Sequence, residues 1–290
     1  MRLRHRERIQ LKTPEEIDRM RVAGLVVART LQVVREAVRP GISTRELDEV
    51  AAATIRSEGA VPSFLGYRGY PATICTSVNE VVVHGIPSEE CVLKNGDIVA
   101  IDCGAIVDGW HGDAALTVGV GAIDPADQAL LDHCREALWA GIAQATAGNR
   151  LTDISHAVES SVRESGDYGI IQEYTGHGIG TAMHMDPLVP NYGPAGRGPL
   201  LRVGMTLAIE PMITRGTRLN TELADGWTVV TADGSRSAHF EHTIAITPDG
   251  PRVLTAAKDE ENRYTERIVA PAQSHPSSPV PPPGQASDAR

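Results

Sequence analysis

The apolar residues of this 290-residue chain recur first at helical spacing and then in β-branched runs, and this order occurs twice. In the first half, residues 13–16 (TPEE) combine a capping threonine, a proline and an acid three positions after the cap, which is typical of a helix N-terminus. They predict a long helix that extends to about Val38. Ser43 and Glu46 repeat the capping pair and predict a second helix that Gly59 ends.

The second half of the chain repeats the pair of helices. Asp124 and Pro125 predict a long helix that Gly148 ends, and residues 152–165 predict a short helix closed by Gly166. Gly41, which follows the first long helix, is 107 residues before Gly148, and Gly59 is likewise 107 residues before Gly166. This regularity indicates a weak internal repeat.

Runs of β-branched residues follow each pair of helices and predict strands. The runs lie at 97–119, 204–213, 226–231 and 237–247. Two helix-helix-sheet units, each with one apolar sheet face to cover, favour a single α+β domain with a cleft between the halves. We therefore expect one folded domain over residues 10–265, with halves at about 13–120 and 124–250.

Both termini differ in composition from the predicted domain. Residues 1–9 form a basic segment without the apolar region of a secretory signal, so we expect a cytoplasmic protein. Residues 271–290 are rich in proline and serine and contain few apolar side chains. Such a tail cannot bury enough apolar surface to offset its ordering entropy, so it is expected to be disordered.

Overall composition narrows the class of protein. Apolar residues make up 41% and charged residues 22%, and the formal net charge is -10. The negative charge argues against nucleic acid as a partner, and no apolar run approaches the roughly 20 residues of a membrane span. The cysteines, Cys75, Cys91, Cys103 and Cys134, have no spacing typical of structural zinc or of a disulfide framework.

A two-residue turn at Asp108-Gly109 predicts a hairpin between the flanking apolar runs. In that register Gly104 lies opposite Asp113, and Asp102 lies one diagonal step from Asp113 on the same face, at about 7 to 8 Å. Gly104 is expected to leave space between the two carboxylates. Two unpaired anions at this spacing repel each other, so the pair indicates a bound cation, with an ordinary polar sheet face as the alternative.

Three residues of the second half have side chains suited to metal binding. His177 lies among glycines in the run TGHGIG, which suggests irregular backbone close to a ligand. Glu210 and Glu241 each lie in an apolar run, where a carboxylate is costly unless it is paired or bound to metal. A structural hydrogen bond of the histidine and salt bridges from arginines are the alternatives. With Asp102 and Asp113, the set comprises four carboxylates and one imidazole.

The motifs of other enzyme classes are absent from the sequence. It contains no HExxH, no GxSxG and no P-loop lysine motif, and the glycines around His177 lack the GxGxxG spacing. These absences remove the basis for zincin, serine-hydrolase, nucleotide-binding and Rossmann interpretations.

Five short runs, in order, resemble the type I methionine aminopeptidases, whose pita-bread fold is shared with prolidase, aminopeptidase P and creatinase. The resemblance covers roughly residues 10–250. The runs are NEVVVHGIP at 79–87, DGWHGD at 108–113, GHGIG at 176–180, IEPM at 209–212 and FEHT at 240–243. The resemblance implies a single catalytic domain built from two pseudo-symmetric halves around a central antiparallel sheet, with the metal site in the cleft.

The resemblance also implies two divalent ions, for which Mn, Fe, Co and Zn are candidates. It makes Asp113 and Glu241 the bridging ligands, places Asp102 on one ion, and places His177 and Glu210 on the other. In the family, a hydroxide shared by the two ions attacks the scissile carbonyl.

Further catalytic roles follow from the same resemblance. His184 is expected to stabilise the tetrahedral intermediate, His84 to contact the substrate near the scissile amide, and Glu210 to carry a proton. For both histidines, a buried and hydrogen-bonded imidazole is the structural alternative.

An apolar, polarisable pocket is expected to bind the methionine side chain. By resemblance it is lined by Tyr67, Tyr70, Cys75 and Trp227. Two neighbouring positions depart from the family pattern, since Phe64 stands where cysteine is frequent and Met183 stands where an aromatic residue is frequent. Ordinary core packing is the alternative for all of these side chains.

The implied function is removal of the initiator methionine from nascent proteins whose second residue is small. Nascent polypeptide N-termini are then the substrate and the ribosome is a candidate neighbour. We expect a monomer that does not bind membranes and does not act on nucleic acid. One alternative is an enzyme of the same fold that cleaves X-Pro bonds. Another is a binding protein that keeps the fold without catalysis.

Overall fold

The computed structural model of the protein describes residues 9–256. Predictions for residues 1–8, for residues 257–265 of the expected domain and for the tail at 271–290 lie outside the described residues. Helices occur as two pairs, one in each half: α1 Pro14–Ala37, α2 Thr44–Ser57, α3 Pro125–Gln144 and α4 Leu151–Ser165. Within residues 9–256, none of the helices combines the length and the apolar character that a membrane crossing requires.

Helices α1 and α2 begin at the predicted caps. Thr13 Oγ1 accepts a hydrogen bond from the Glu16 amide, and the Glu16 carboxylate accepts one from the Thr13 amide. Ser43 and Glu46 form the same reciprocal pair. Each pair satisfies amide groups that a helix N-terminus otherwise leaves without partners.

The helices of the second half differ from the prediction by a few residues. Helix α3 ends at Gln144 rather than at Gly148, because the Asn149 side-chain amide donates to the Gln144 carbonyl at 3.0 Å and so caps the last turn. Helix α4 begins at Leu151 because the Asp153 carboxylate accepts from the Arg150 amide at 2.7 Å.

The described residues contain fifteen strands, five between α2 and α3 and ten after α4. They are β1 Val61–Pro62, β2 Ile74–Val78, β3 Val81–Val83, β4 Ile98–Val107, β5 Trp110–Gly119, β6 Gly169–Ile170, β7 Gly176–Gly178, β8 Met185–Val189, β9 Thr206–Ile209, β10 Met212–Thr214, β11 Asn220–Glu222, β12 Val229–Thr231, β13 Ser237–His239, β14 Glu241–Thr247 and β15 Gly250–Val253. The runs predicted from β-branched residues contain β4, β5, β9, β12, β13 and β14. Strand β10 overlaps the end of the run at 204–213. The strands that were not predicted are β1, β2, β3, β6, β7, β8, β11 and β15.

One antiparallel sheet joins the two halves. Its strands run in the order β1-β4-β5-β14-β9-β7-β8, with β2 paired to β4 and β15 paired to β14. Strand β14 lies between β5 of the first half and β9 of the second half. The second half thereby contributes side chains directly beside the β4–β5 hairpin.

The predicted hairpin register is confirmed. Gly104 pairs with Asp113, and Asp102 pairs with Ala115, so the two aspartates are diagonal neighbours on one face. At the turn, Asp108 and Gly109 have φ values of 49° and 79°, the left-handed conformation that a two-residue turn of this kind requires at both positions.

Each pair of helices covers the sheet with its own apolar cluster. In the first half, side chains such as Val27 and Leu47 pack with Ile101 of β4. In the second half, Leu138 and Ile154 pack with strands that include β9 and β14. These two clusters hold the strands rigidly, which fixes the side chains on the opposite face of the sheet.

Candidate metal and substrate site

The five predicted ligands converge on one side of the central sheet. Asp102 and Asp113 come from the hairpin, and Glu241 follows at the start of β14, where it pairs with Ala115. His177 lies on β7 and pairs with Ala208 of β9, and Glu210 follows β9 directly. All five side chains line the same cavity of about 390 Å³: Asp102, Asp113, His177, Glu210 and Glu241.

The imidazole of His177 faces the carboxylates. Its Nε2 lies 3.5 Å from Glu210 Oε1 and 4.0 Å from Asp113 Oδ2. Its Nδ1 lies 2.9 Å from the carbonyl oxygen of Gly178, which can only accept a hydrogen bond. Nδ1 therefore carries the proton, and Nε2 presents its lone pair to the cluster, as a metal ligand must.

The flanking glycines of His177 serve a different purpose from the predicted one. They were interpreted as irregular backbone, but residues 176–178 form strand β7. A Cβ on Gly176 would lie 2.3 Å from the Ala208 carbonyl oxygen, and one on Gly178 would lie 2.2 Å from that of Asp186. The glycines therefore allow neighbouring strands to approach closely.

The space above Gly104 also differs from the prediction. A Cβ at this position would come within 2.8 Å of the Phe64 ring and of the Ser63 side chain. The glycine therefore makes room for these two side chains, rather than for an open gap between Asp102 and Asp113.

Burial makes the carboxylate cluster unstable as a set of free anions. It raises the pKa of Asp102 to about 7. Burial first and neighbouring carboxylates second raise the pKa of Asp113 and Glu241 well above the usual carboxyl range, and burial raises that of Glu210 in the same way. Burial lowers the pKa of His177 to about 4, so this imidazole is neutral near pH 7 and does not neutralise the cluster.

The cluster contains buried carboxylate oxygens without hydrogen-bond partners, which is consistent with a cation site. Asp102 Oδ1, Asp113 Oδ1 and Glu241 Oε1 are buried without a hydrogen-bond partner. Ligand atoms of Asp113, His177 and Glu241 lie within 4.8 Å of one another. Oxygen-rich sets with an imidazole suit divalent transition ions, which would satisfy these oxygens and offset the repulsion between the anions.

A second imidazole, not among the predicted site residues, also reaches the cluster. His239 Nε2 lies 3.7 Å from Glu210 Oε2, and ligand atoms of Glu210, His239 and Glu241 lie within 4.8 Å of one another. Strand periodicity could have identified it, because residues two apart in an extended run project to the same face and His239 precedes Glu241 by two positions.

The two predicted catalytic histidines line the same cavity. His184 is exposed, and its Nδ1 lies 2.9 Å from the hydroxyl of Tyr67. Its ring centroid is 4.3 Å from that of His177. His84 has a left-handed φ of 60°, and its ring meets Tyr174 and Trp227 edge-on at 5.5 and 6.1 Å.

The predicted methionine-pocket residues form one apolar cluster beside the carboxylates. Phe64, Tyr70, Cys75 and Met183 are buried together, and Tyr67 and Trp227 pack against them. Cys75 of β2 pairs directly with Asp102 of β4. The apolar pocket and the carboxylate cluster are therefore adjacent across this strand pair. The Tyr70 hydroxyl donates to the Ile74 or Gly85 carbonyl at 3.1 and 3.2 Å, which fixes the ring.

The family model, the similar sequences and the similar structures all point to the same family of peptidases. The chain matches the family model described as metallopeptidase family M24 over residues 18–248. Methionine aminopeptidase 1 of Mycobacterium tuberculosis is 57% identical over 259 residues, which cover 88% of this chain and 97% of that protein. The crystal structure of methionine aminopeptidase from Thermotoga maritima has a TM-score of 0.84 and 45% identity, and the match covers 86% of this chain and 100% of the solved chain.

A more distant likeness bears on the fold alone. The Xaa-Pro dipeptidase of Bacillus anthracis is 23% identical with a TM-score of 0.68, and the match covers 86% of this chain but 62% of that chain. The predicted pita-bread fold is confirmed by these structures. The chain belongs to metallopeptidase family M24 and, within it, to the type I methionine aminopeptidases, which makes it a metal-dependent hydrolase.

Proposed function

We propose that this protein removes the initiator methionine from nascent polypeptides whose second residue is small. The proposal rests on one observation, which is that a polar cluster and an apolar pocket lie side by side in the same cavity. A buried cluster of carboxylates and imidazoles lies directly beside a pocket of aromatic and sulfur-containing side chains. A substrate whose methionine side chain fills the apolar pocket thus places its first peptide bond next to the cluster.

The proposed ligand set for two divalent ions is the one implied by the family resemblance. In that set Asp113 and Glu241 would be shared by the two ions, Asp102 would hold one ion, and His177 and Glu210 would hold the other. The unpartnered oxygens of Asp102, Asp113 and Glu241 support this set. When bound, the ions lower the pKa of a shared water and polarise the scissile carbonyl. We propose no specific metal, because an oxygen-rich site with imidazole suits Mn, Fe, Co and Zn.

The surroundings of His184 and His84 support the proposed catalytic roles. Tyr67 hydrogen-bonds His184 and so orients its ring beside His177, where it can donate to a developing oxyanion. His84 is held between Tyr174 and Trp227 and can contact the backbone of the substrate. Glu210 lies in the same cavity and is the proposed carrier that takes a proton and passes it to the leaving amine.

The methionine pocket is adapted to a flexible thioether. Phe64 and Met183, which depart from the family pattern, are both buried in its wall. Sulfur makes favourable contacts with aromatic ring edges, and Tyr70 and Trp227 supply such edges. We propose that the catalytic unit spans residues 10–265 and acts in the cytoplasm, with the ribosome as a candidate neighbour.

The first prediction concerns substrate choice and metal removal. We expect release of methionine from Met-Ala-Ser to require a divalent ion, to stop on chelation and to return when Mn, Fe or Co is added. Chromatography should detect no release of the first residue from Xaa-Pro peptides in which that residue is not methionine. Turnover of Xaa-Pro substrates, or no turnover of Met-Ala-Ser with any added ion, would overturn the proposed activity.

The second prediction separates His184 from the metal ligands. His184→Ala is expected to lower kcat by about a hundredfold, the usual effect of losing one oxyanion donor, with bound metal unchanged. Steady-state kinetics and elemental analysis of the same sample measure both quantities. His156→Ala, which removes an exposed imidazole from α4, is the control and should leave kcat unchanged. A large loss of metal in His184→Ala would contradict the role.

A further inference from the structure

His239 occupies a position from which its side chain must face the metal cluster. It ends strand β13 and pairs with Met212 of β10. Phe240 follows and turns to the opposite face, where its ring contacts the guanidinium of Arg135. Glu241, two residues after His239, returns to the cavity, so His239 and Glu241 project to the same side.

The His239 ring has an unsatisfied nitrogen in the protein interior. The residue is 2% exposed, and Nε2 is buried without a hydrogen-bond partner. Its nearest acidic atom, Glu210 Oε2, is 3.7 Å away, longer than the 3.2 Å or so of an ordinary hydrogen bond. A buried polar nitrogen without a partner is costly, so this position calls for a ligand that the protein itself does not supply.

Glu210 lies between two imidazoles. Its Oε1 is 3.5 Å from His177 Nε2, and its Oε2 is 3.7 Å from His239 Nε2. An ion with ligand distances of about 2.0 to 2.2 Å holds its donors within about 4 Å of one another. Ligand atoms of Glu210, His239 and Glu241 already lie within 4.8 Å of one another. Small side-chain movements would therefore bring all three to ligand distance from one ion.

We infer that His239 is an additional nitrogen ligand of the ion that His177, Glu210 and Glu241 would hold. This inference rests on the proposed metal site. It gives that ion a second imidazole and makes its site richer in nitrogen than the site that Asp102 would complete. The alternative is a positioning role, in which His239 donates a hydrogen bond to Glu210 and never contacts the ion.

Paramagnetic NMR of the full-length protein loaded with Co²⁺ tests the inference directly. Each imidazole bound to cobalt through Nε2 gives a strongly shifted, exchangeable N–H signal from its Nδ1. We expect two such signals in the wild type, one from His177 and one from His239. His239→Gln should lose one signal, and calorimetry should show at least about a tenfold weaker affinity for one of two Co²⁺ ions.

Glutamine separates the ligand role from the positioning role. It can still donate a hydrogen bond to Glu210 but offers no imidazole nitrogen. Unchanged Co²⁺ affinity and an unchanged NMR spectrum in His239→Gln would overturn the inference. The control is His133→Gln, which alters a partly buried imidazole on α3 that lies 5.6 Å from the Tyr168 ring, outside the cavity.

The wild-type spectrum keeps the inference testable even if His239→Gln does not fold. A single shifted N–H signal with two bound ions would refute ligation by His239 while leaving the proposed function intact. A wild type that binds no Co²⁺ at all would instead overturn the proposed metal site itself, and this inference with it.

Discussion

Replacing Asp113 by asparagine is expected to reduce kcat/KM by at least about a thousandfold, since a bridging ligand serves both ions and metal stabilisation of the transition state is worth several kcal/mol. Asparagine keeps the size of the side chain but loses its charge. The backbone at this position should be unaffected, because Thr243 both donates to the Asp113 carbonyl and accepts from its amide. Steady-state kinetics and elemental analysis should show that activity and bound metal are lost together.

A matched control lies in the same hairpin. Asp108→Asn makes the same chemical change in the exposed turn, where asparagine tolerates the left-handed backbone as well as aspartate does. It should leave both kcat/KM and bound metal unchanged. Full activity in Asp113→Asn would show that this carboxylate does not bridge the ions.

The hairpin was predictable because one local feature determined it. A two-residue turn at Asp108-Gly109 fixes strand register without reference to the rest of the chain, so the pairing of Gly104 with Asp113 followed from counting. Helix starts were predictable for the same reason, since a capping box needs residues only three positions apart. The relative positions of Asp102 and Asp113 could therefore be predicted from local sequence features alone.

Contacts between the halves were not determined by any local feature. Whether Glu241 lies beside Asp113 depends on β14 pairing with β5, and no pattern within either strand specifies that partner. The convergence of His177 and Glu210 with the hairpin was expected only from the family resemblance. Strands β2 and β8 were missed because they are short and lack regular alternation of apolar and polar residues.

Two residues show where composition misleads. Gly176 and Gly178 were interpreted as irregular backbone close to a ligand, whereas close strand packing excludes a Cβ at both positions. A glycine chosen for space and one chosen for a left-handed backbone look identical in a sequence. Only the neighbouring carbonyl oxygens of the folded chain distinguish them.

The apolar clusters and the carboxylate cluster have opposing effects on stability. The helices bury large side chains such as Leu47 and Leu138 against the sheet, which stabilises the fold without any metal. On the opposite face, four buried carboxyl groups raise one another's pKa or have it raised by burial. The metal-free protein therefore carries an energetic cost that bound cations remove.

The metal-free protein is expected to lose stability as pH rises from 6.5 to 8, while the metal-loaded protein does not. Burial raises the pKa of Asp102 to about 7, and burial together with neighbouring carboxylates raises the pKa of Asp113, Glu210 and Glu241 well above the usual carboxyl range. These groups therefore retain protons in the folded state that they lose on unfolding. Because the folded state binds more protons in this range, raising the pH favours unfolding, by about 1.4 kcal/mol per pH unit for each retained proton.

In the middle of this pH range the carboxylates outweigh the groups whose titration changes stability in the opposite direction. Buried histidines such as His177, with a pKa lowered to about 4, act in the opposite direction, but their contribution is half complete at the ordinary value of 6.5 and changes little above about pH 7.5. Lys12, with a pKa lowered to about 8, adds stability only above pH 8. Urea unfolding with chelator at constant ionic strength, followed by circular dichroism at several pH values, measures the slope.

Asp113→Asn provides the decisive comparison for this pH dependence. Removing one of the coupled carboxyl groups should make the metal-free variant more stable than the metal-free wild type at pH 8 and should reduce its slope. With metal bound, the order should reverse, because the variant has lost a ligand. Asp108→Asn should follow the wild type in both states. If the free energy of unfolding of the metal-free wild type were constant from pH 6.5 to 8, the carboxylates could not be retaining protons, and buried repulsion would not be what metal binding relieves.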